Sequence, residues 1–217
     1  MTKKIRDVRG STGAGKTIGI TIWDIDLAHS LKNQIIDVVS ESYPHLDQGV
    51  IRDFKNIMQG HNYWQDSRWN ATDFIYTLET GSKIEFFSAD QPDKLRGGRR
   101  ERCFMNEANN MSLDTFDQLE VRTKELIFLD WNPTNEFWFY TEILGKRNDV
   151  DHIKLNYLDN EALSPEIIKS IESRKERKDW WQVYGLGELG NISGKIYNDW
   201  AIIDEIPHEA RLERYGL

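Results

Sequence analysis

The 217-residue chain is 39% apolar and 29% charged, enough to fill a core and too apolar for a disordered segment. Its net charge of −8 argues against a surface that grips DNA phosphates throughout, so any nucleic-acid contact must be local or shared with other parts. The single Cys103 excludes an internal disulfide framework, no apolar run approaches the ~20 residues of a membrane span, and MTKKIRD lacks the apolar stretch of a signal peptide.

In chain order, IRDVRG (5–10) predicts a strand running into a glycine-rich turn, and Lys16 to about Leu31 predicts a helix. QIIDVVS (34–40) has the near-continuous apolar character of a buried parallel strand, although Asp7 and Asp37 interrupt the first two strands. VIRDFKNIMQ (50–59) suits an amphipathic helix. FIYTL and KIEFFS flank a glycine-containing loop and predict an antiparallel hairpin. A basic loop, DKLRGGRRER, precedes the strand CFMNE (103–107). Beyond it follow a helix over 112–122 capped by Ser112, the strand ELIFLDW, a helix over NEFWFYTEIL and a strand at 152–158. Ser164-Pro165-Glu166 announces a last helix running to about Lys178. Strands alternating with helices give an α/β class, a mostly parallel sheet flanked by helices.

GSTGAGKT, from Gly10 through Ser11, Thr12, Gly13, Ala14, Gly15 and Lys16 to Thr17, matches the phosphate-loop pattern in full, between a strand and a helix. Backbone N–H groups and the helix N-terminus would cradle phosphates, Lys16 would reach the β- and γ-phosphates, and the Thr17 hydroxyl would ligate Mg²⁺. ATP and Mg²⁺ are therefore the expected cofactors; the absence of an N-K-x-D motif disfavours GTP. The five histidines lack ligand spacing and predict no zinc site.

CFMNE places Glu107 at the carboxyl end of a sheet strand, where it can orient an attacking water. Asn106 stands where a metal-shell acid is usual. Its amide oxygen can order metal-bound water without adding charge, so Asn106→Asp is expected to tighten Mg²⁺ dependence. In the preceding basic loop, Arg96, Arg99 and Arg100 are candidates for DNA-phosphate contact or for an arginine finger. Asn132, in LDWNPT, is placed to sense the γ-phosphate.

GSTGAGKT, VVSESYPHLDQGVIRDF, GSKIEFFSA, LRG, FMNEAN, FLDWNPT, YLDN..LSPE and YGLGELG, in that order, together resemble the large terminase subunit of tailed bacteriophages, the ATPase motor that packages DNA into proheads. The resemblance covers almost the whole chain and points to a branch in which N-E-A-N stands for D-E-A. It implies a P-loop NTPase fold of the additional-strand type, with an ATPase core at 1–158, a helical linker or lid at 159–190, and the start of a truncated nuclease domain or tail at 191–217. It also implies Glu107 as catalytic carboxylate, Asn132 in the motif coupling hydrolysis to movement, and Arg96 as the best match for a finger acting on a neighbouring subunit. Implied partners are double-stranded DNA, the portal protein, the small terminase subunit and further copies in a ring on the prohead, in the host cytoplasm and with no membrane.

Three departures qualify the match. Thr12 stands where many members carry a P-loop arginine. Only nine residues precede Gly10, which leaves no upstream adenine-contacting segment. The chain ends at ERYGL, before the nuclease carboxylates, so DNA cleavage by it alone is not expected. A small-molecule or nucleoside kinase and a non-hydrolysing nucleotide-binding scaffold remain alternatives.

Overall fold

The computed structural model describes residues 3–190. β1 (Ile5–Gly10) leads through the glycine-rich turn into α1 (Lys16–Ser30), and β2 (Ile35–Ser40) into α2 (Tyr43–Leu46) and α3 (Arg52–Gly60). β3 (Trp69–Asn70), β4 (Ile75–Thr77) and β5 (Lys83–Ser88) run antiparallel to one another in turn, which includes the expected hairpin. Then come α4 (Pro92–Leu95), β6 (Arg100–Met105), α5 (Leu113–Glu120), β7 (Thr123–Trp131), β8 (Val150–Leu155), α6 (Pro165–Glu172) and α7 (Lys178–Trp180).

One eight-stranded sheet results, ordered β3-β4-β5-β2-β6-β7-β1-β8, with every pair from β5 onward parallel. β7 lies between the phosphate-loop strand β1 and the acidic strand β6, the additional-strand arrangement. Side chains alternate across the central strands, so neighbours feed opposite faces. Val38, Phe104 and Phe128 pack with Ile20, Ile25 and Phe54 under α1 and α3, while Val39, Met105 and Leu129 pack with Phe116 and Leu119 of α5. Among the described residues no helix is long and apolar enough to cross a membrane.

The acids inside the strands are answered by partners distant in sequence. Asp7 meets His152 Nδ1 at 2.5 Å and Asp37 meets Arg100 Nη1 at 2.8 Å. Three expectations change. β6 begins at Arg100, so part of the basic loop is strand. The helix expected over NEFWFYTEIL is only a π-helical turn, Phe139–Ile143. α6 stops at Glu172, and the Ser170 carbonyl in its last turn accepts instead from the Ser173 hydroxyl and the Arg174 guanidinium.

Asp24 on α1 is buried with Oδ2 lacking a partner among the described residues, and burial pushes its carboxyl up to about 8 against the pull of Arg102. A raised folded-state pKa favours the fold at low pH, and that advantage is lost as pH climbs from about 4 toward 8. Asp24→Asn is therefore expected to raise the thermal midpoint by several degrees at pH 8, with much less gain at pH 5. Parallel melts of the two proteins at both pH values check it; a gain independent of pH would contradict it.

Candidate active site

The site is built where β1, β6 and β7 end side by side. Gly13 (φ +71°) and Gly15 (φ +76°) let the phosphate loop turn through left-handed backbone, and Gly15 caps α1. A Cβ on Gly10 would fall 1.9 Å from the Leu155 carbonyl oxygen, so this glycine is required by the close pass of β8. Lys16 folds back on its own loop, its Nζ donating to the carbonyls of Ser11 (2.9 Å) and Gly10 (3.4 Å). Burial holds its amine below the usual lysine range, while Asp130 and Glu107 draw it back up.

The loop is also held from outside. Asn132 Nδ2 donates to the Gly10 carbonyl at 2.7 Å, and Asn160 Nδ2 to the Gly13 carbonyl at 2.8 Å. The Thr12 N–H donates to Tyr184 O at 3.0 Å, and Gly187 passes so close that a Cβ there would lie 2.8 Å from Ser11 N. Asn132, expected to sense a phosphate, thus anchors the cradle's first residue.

Asp130, a residue that the sequence pattern does not single out from its strand, is the hub. It is 1% exposed, and three donors converge on it: the Thr17 hydroxyl at 2.5 Å, the Glu107 N–H at 2.7 Å and Asn106 Nδ2 at 3.1 Å. Burial raises its carboxyl above the usual range, opposed by these donors and by Lys16. The available signal was position: an acid at the carboxyl end of a strand in the same sheet, the reasoning applied to Glu107.

Asn106 is oriented by this hub. A carboxylate can only accept, so the amide nitrogen must face Asp130, and Oδ1 is left to accept from Ser40 Oγ at 3.1 Å. The amide oxygen, the atom expected to order metal-bound water, faces Ser40, while the amide nitrogen faces Asp130. Glu107 has a left-handed backbone (φ 55°, ψ 53°), unusual for a non-glycine residue and a feature that clusters at functional sites. Its exposed carboxylate accepts from Asn110 Nδ2 at 3.1 Å. Glu107, Asn106 and Thr17 line a cavity of about 520 Å³ together with His45, Gln48 and Asp53.

The arginines divide. Arg96 and Arg99 are exposed between α4 and β6. Arg100 is 2% exposed and ion-paired with Asp37, which corrects the expectation of an exposed contact.

Thr17, beside a buried carboxylate, presents hard oxygen donors of the kind Mg²⁺ takes. No cluster of three or more acidic, histidine or cysteine side chains occurs among the described residues, so such an ion would be held jointly with phosphate oxygens.

Residues 2–188 match the family described as phage terminase large subunit. Among solved structures, the chain is similar to the large terminase of a thermophilic bacteriophage (TM-score 0.72, 22% identity, covering 85% of this chain and 48% of that one). It is similar to the same protein in complex with ADP (TM-score 0.71, 23% identity, 86% and 48%). The Thermus phage P74-26 large terminase ATPase domain also matches (TM-score 0.60, 16% identity, 87% and 90%). At these identities the likeness establishes the fold, and the chain spans about half the length of the thermophilic phage's protein. No curated protein matches the sequence.

Proposed function

The chain belongs to the phage terminase large subunit family, and from that membership we propose that it is the ATPase part of a motor that moves double-stranded viral DNA into the prohead. The observation that carries the proposal is the meeting of Thr17, Asn106 and Glu107 at Asp130, which joins the phosphate loop to the acidic strand. That the thermophilic phage's large terminase has been solved with ADP and with ATP-γ-S supports adenine nucleotide as the ligand class.

In this reading, loop N–H groups and the positive end of α1 bind the phosphates. Lys16 exchanges the Ser11 and Gly10 carbonyls for the β- and γ-phosphate oxygens. Mg²⁺, held by Thr17 with the phosphates, would neutralise charge building on the β–γ bridge. Glu107 orients water from the adjoining cavity for in-line attack. Asn132, at the root of the cradle, couples hydrolysis to movement, and Arg96 serves a neighbouring subunit's nucleotide in a ring. Arg99, exposed in the same loop, is assigned to DNA or a neighbouring subunit. Residues 1–158 form the motor core and 159–190 a linker or lid. The reading of 191–217 as the start of a nuclease segment lies outside the described residues. Portal protein and small terminase subunit are the proposed partners, and the host cytoplasm the proposed place of action.

The test is phosphate release from γ-labelled ATP by the parent and by Lys16→Ala, with nucleotide binding measured alongside. Steady release by the parent and a loss of roughly 10²–10³-fold in the variant are expected. Label transferred to a small acceptor without free phosphate would establish a kinase instead, and binding without turnover a scaffold.

A further inference from the structure

We propose that Asp130 is the metal-shell carboxylate of this site, transposed from the acidic strand β6 to its neighbour β7, and that residue 106 is an amide because Asp130 occupies that role. The inference rests on the nucleotide-hydrolysis reading above and adds a residue to it.

The sheet supplies the geometry. β7 is hydrogen-bonded to β1 on one side and β6 on the other, with Val8 in register with Asp130 and Met105 in register with Leu129. Position 130 is therefore beside position 106 across one strand spacing and is flanked by the strand feeding the phosphate loop. A carboxylate at either position reaches the same point near Thr17. Here it comes from Asp130, whose Oδ2 takes the Thr17 hydroxyl at 2.5 Å while Oδ1 takes Asn106 Nδ2 at 3.1 Å.

Charge explains the pairing. Two carboxylates this close in a buried site repel each other strongly. An amide removes the repulsion and adds a donor, and asparagine also reaches Thr17 Oγ1 at 3.4 Å. The site thus keeps one fixed negative charge, moved by one strand. Asp130 has a second duty. By accepting the Glu107 N–H at 2.7 Å it holds the left-handed turn that aims the Glu107 carboxylate. It is a positioning residue for that group.

The expected effect of Asn106→Asp is thereby reversed. Added alone, the acid opposes Asp130 and weakens Mg²⁺ binding; it is tolerated only when Asp130 gives up its charge.

The experiment titrates Mg²⁺ into the protein with a fluorescent ATP analogue. Parent, Asp130→Asn, Asn106→Asp and the double exchange Asn106→Asp/Asp130→Asn are compared, and analogue binding in EDTA and thermal midpoints are recorded for each. Asp130→Asn is expected to weaken Mg²⁺ roughly 10–100-fold while retaining EDTA binding. The double exchange, equal in net charge to the parent, is expected to recover most of the loss, and Asn106→Asp to show no gain. If Asp130→Asn fails to fold, recovery of fold and Mg²⁺ affinity in the double exchange still supports the transposition. A double exchange no better than Asp130→Asn, or an Asp130→Asn titration matching the parent, overturns it. A parent that binds no analogue at all overturns the proposed function first and this inference with it.

Discussion

Glu107→Gln is expected to reduce phosphate release by roughly 10²–10⁴-fold while leaving nucleotide affinity within a few-fold of the parent. The replacement is isosteric, and the features that place residue 107 do not need its charge. Its left-handed backbone is tied to Asp130 through the main-chain N–H, and the side-chain oxygen that accepts from Asn110 survives as an amide oxygen. What is lost is the negative charge that, in the proposed function, would align and polarise the attacking water. Single-turnover phosphate release with saturating analogue binding as the control separates the two effects. Unchanged turnover would remove Glu107 from the chemistry, and a parallel fall in binding would make it a structural residue.

Arg100→Ala is expected to destabilise the fold by about 3–5 kcal/mol, because it strands a buried carboxylate. Asp37 is already pushed up to about 7 by burial even with Arg100 beside it. The contact is close at 2.8 Å but imperfectly aligned: Asp37 Oδ1, Arg100 Nε and Arg100 Nη1 lack hydrogen-bond partners among the described residues. Replacing both members with apolar residues, Arg100→Met with Asp37→Leu, is expected to recover most of the loss, as buried ion pairs exchanged for apolar packing often do. Exposed Arg99→Ala is expected to shift stability by no more than about ±0.5 kcal/mol. Urea unfolding of the four proteins checks the set. A stable Arg100→Ala that had lost DNA binding would restore the surface role the sequence suggested.

The phosphate loop was legible because its chemistry is local: glycine spacing, Lys16 and Thr17 lie in one eight-residue window. Most strands were legible from apolar runs, and the hairpin from its glycine. Arg100 and Asp130 were not, for one shared reason. Each is explained by a partner far away in sequence, Asp37 on β2 for Arg100, and Thr17 on α1 with Asn106 just past β6 for Asp130, and sheet order decides those meetings. A run rich in arginine reads as solvated loop until β2 is known to lie beside β6. The segment at 135–144 suggests a longer helix, but its aromatic residues turn inward instead: Trp138 stacks on Phe116, Phe137 and Phe139 meet Trp131 edge-on or tilted, and only Phe139–Ile143 forms a π-helical turn.

The grip of residues 160–187 on the phosphate loop has a thermodynamic consequence. Thr12 and Gly13, in the loop proposed to hold the nucleotide, are also where Tyr184 and Asn160 attach. If nucleotide changes the strength of those attachments by some factor, then pulling or bracing the attached segment must change nucleotide affinity by the same factor. A load applied to that segment would then be felt as a shift in the dissociation constant, and a motor built on this chain would have its force sensor in the two hydrogen bonds behind its own phosphate loop.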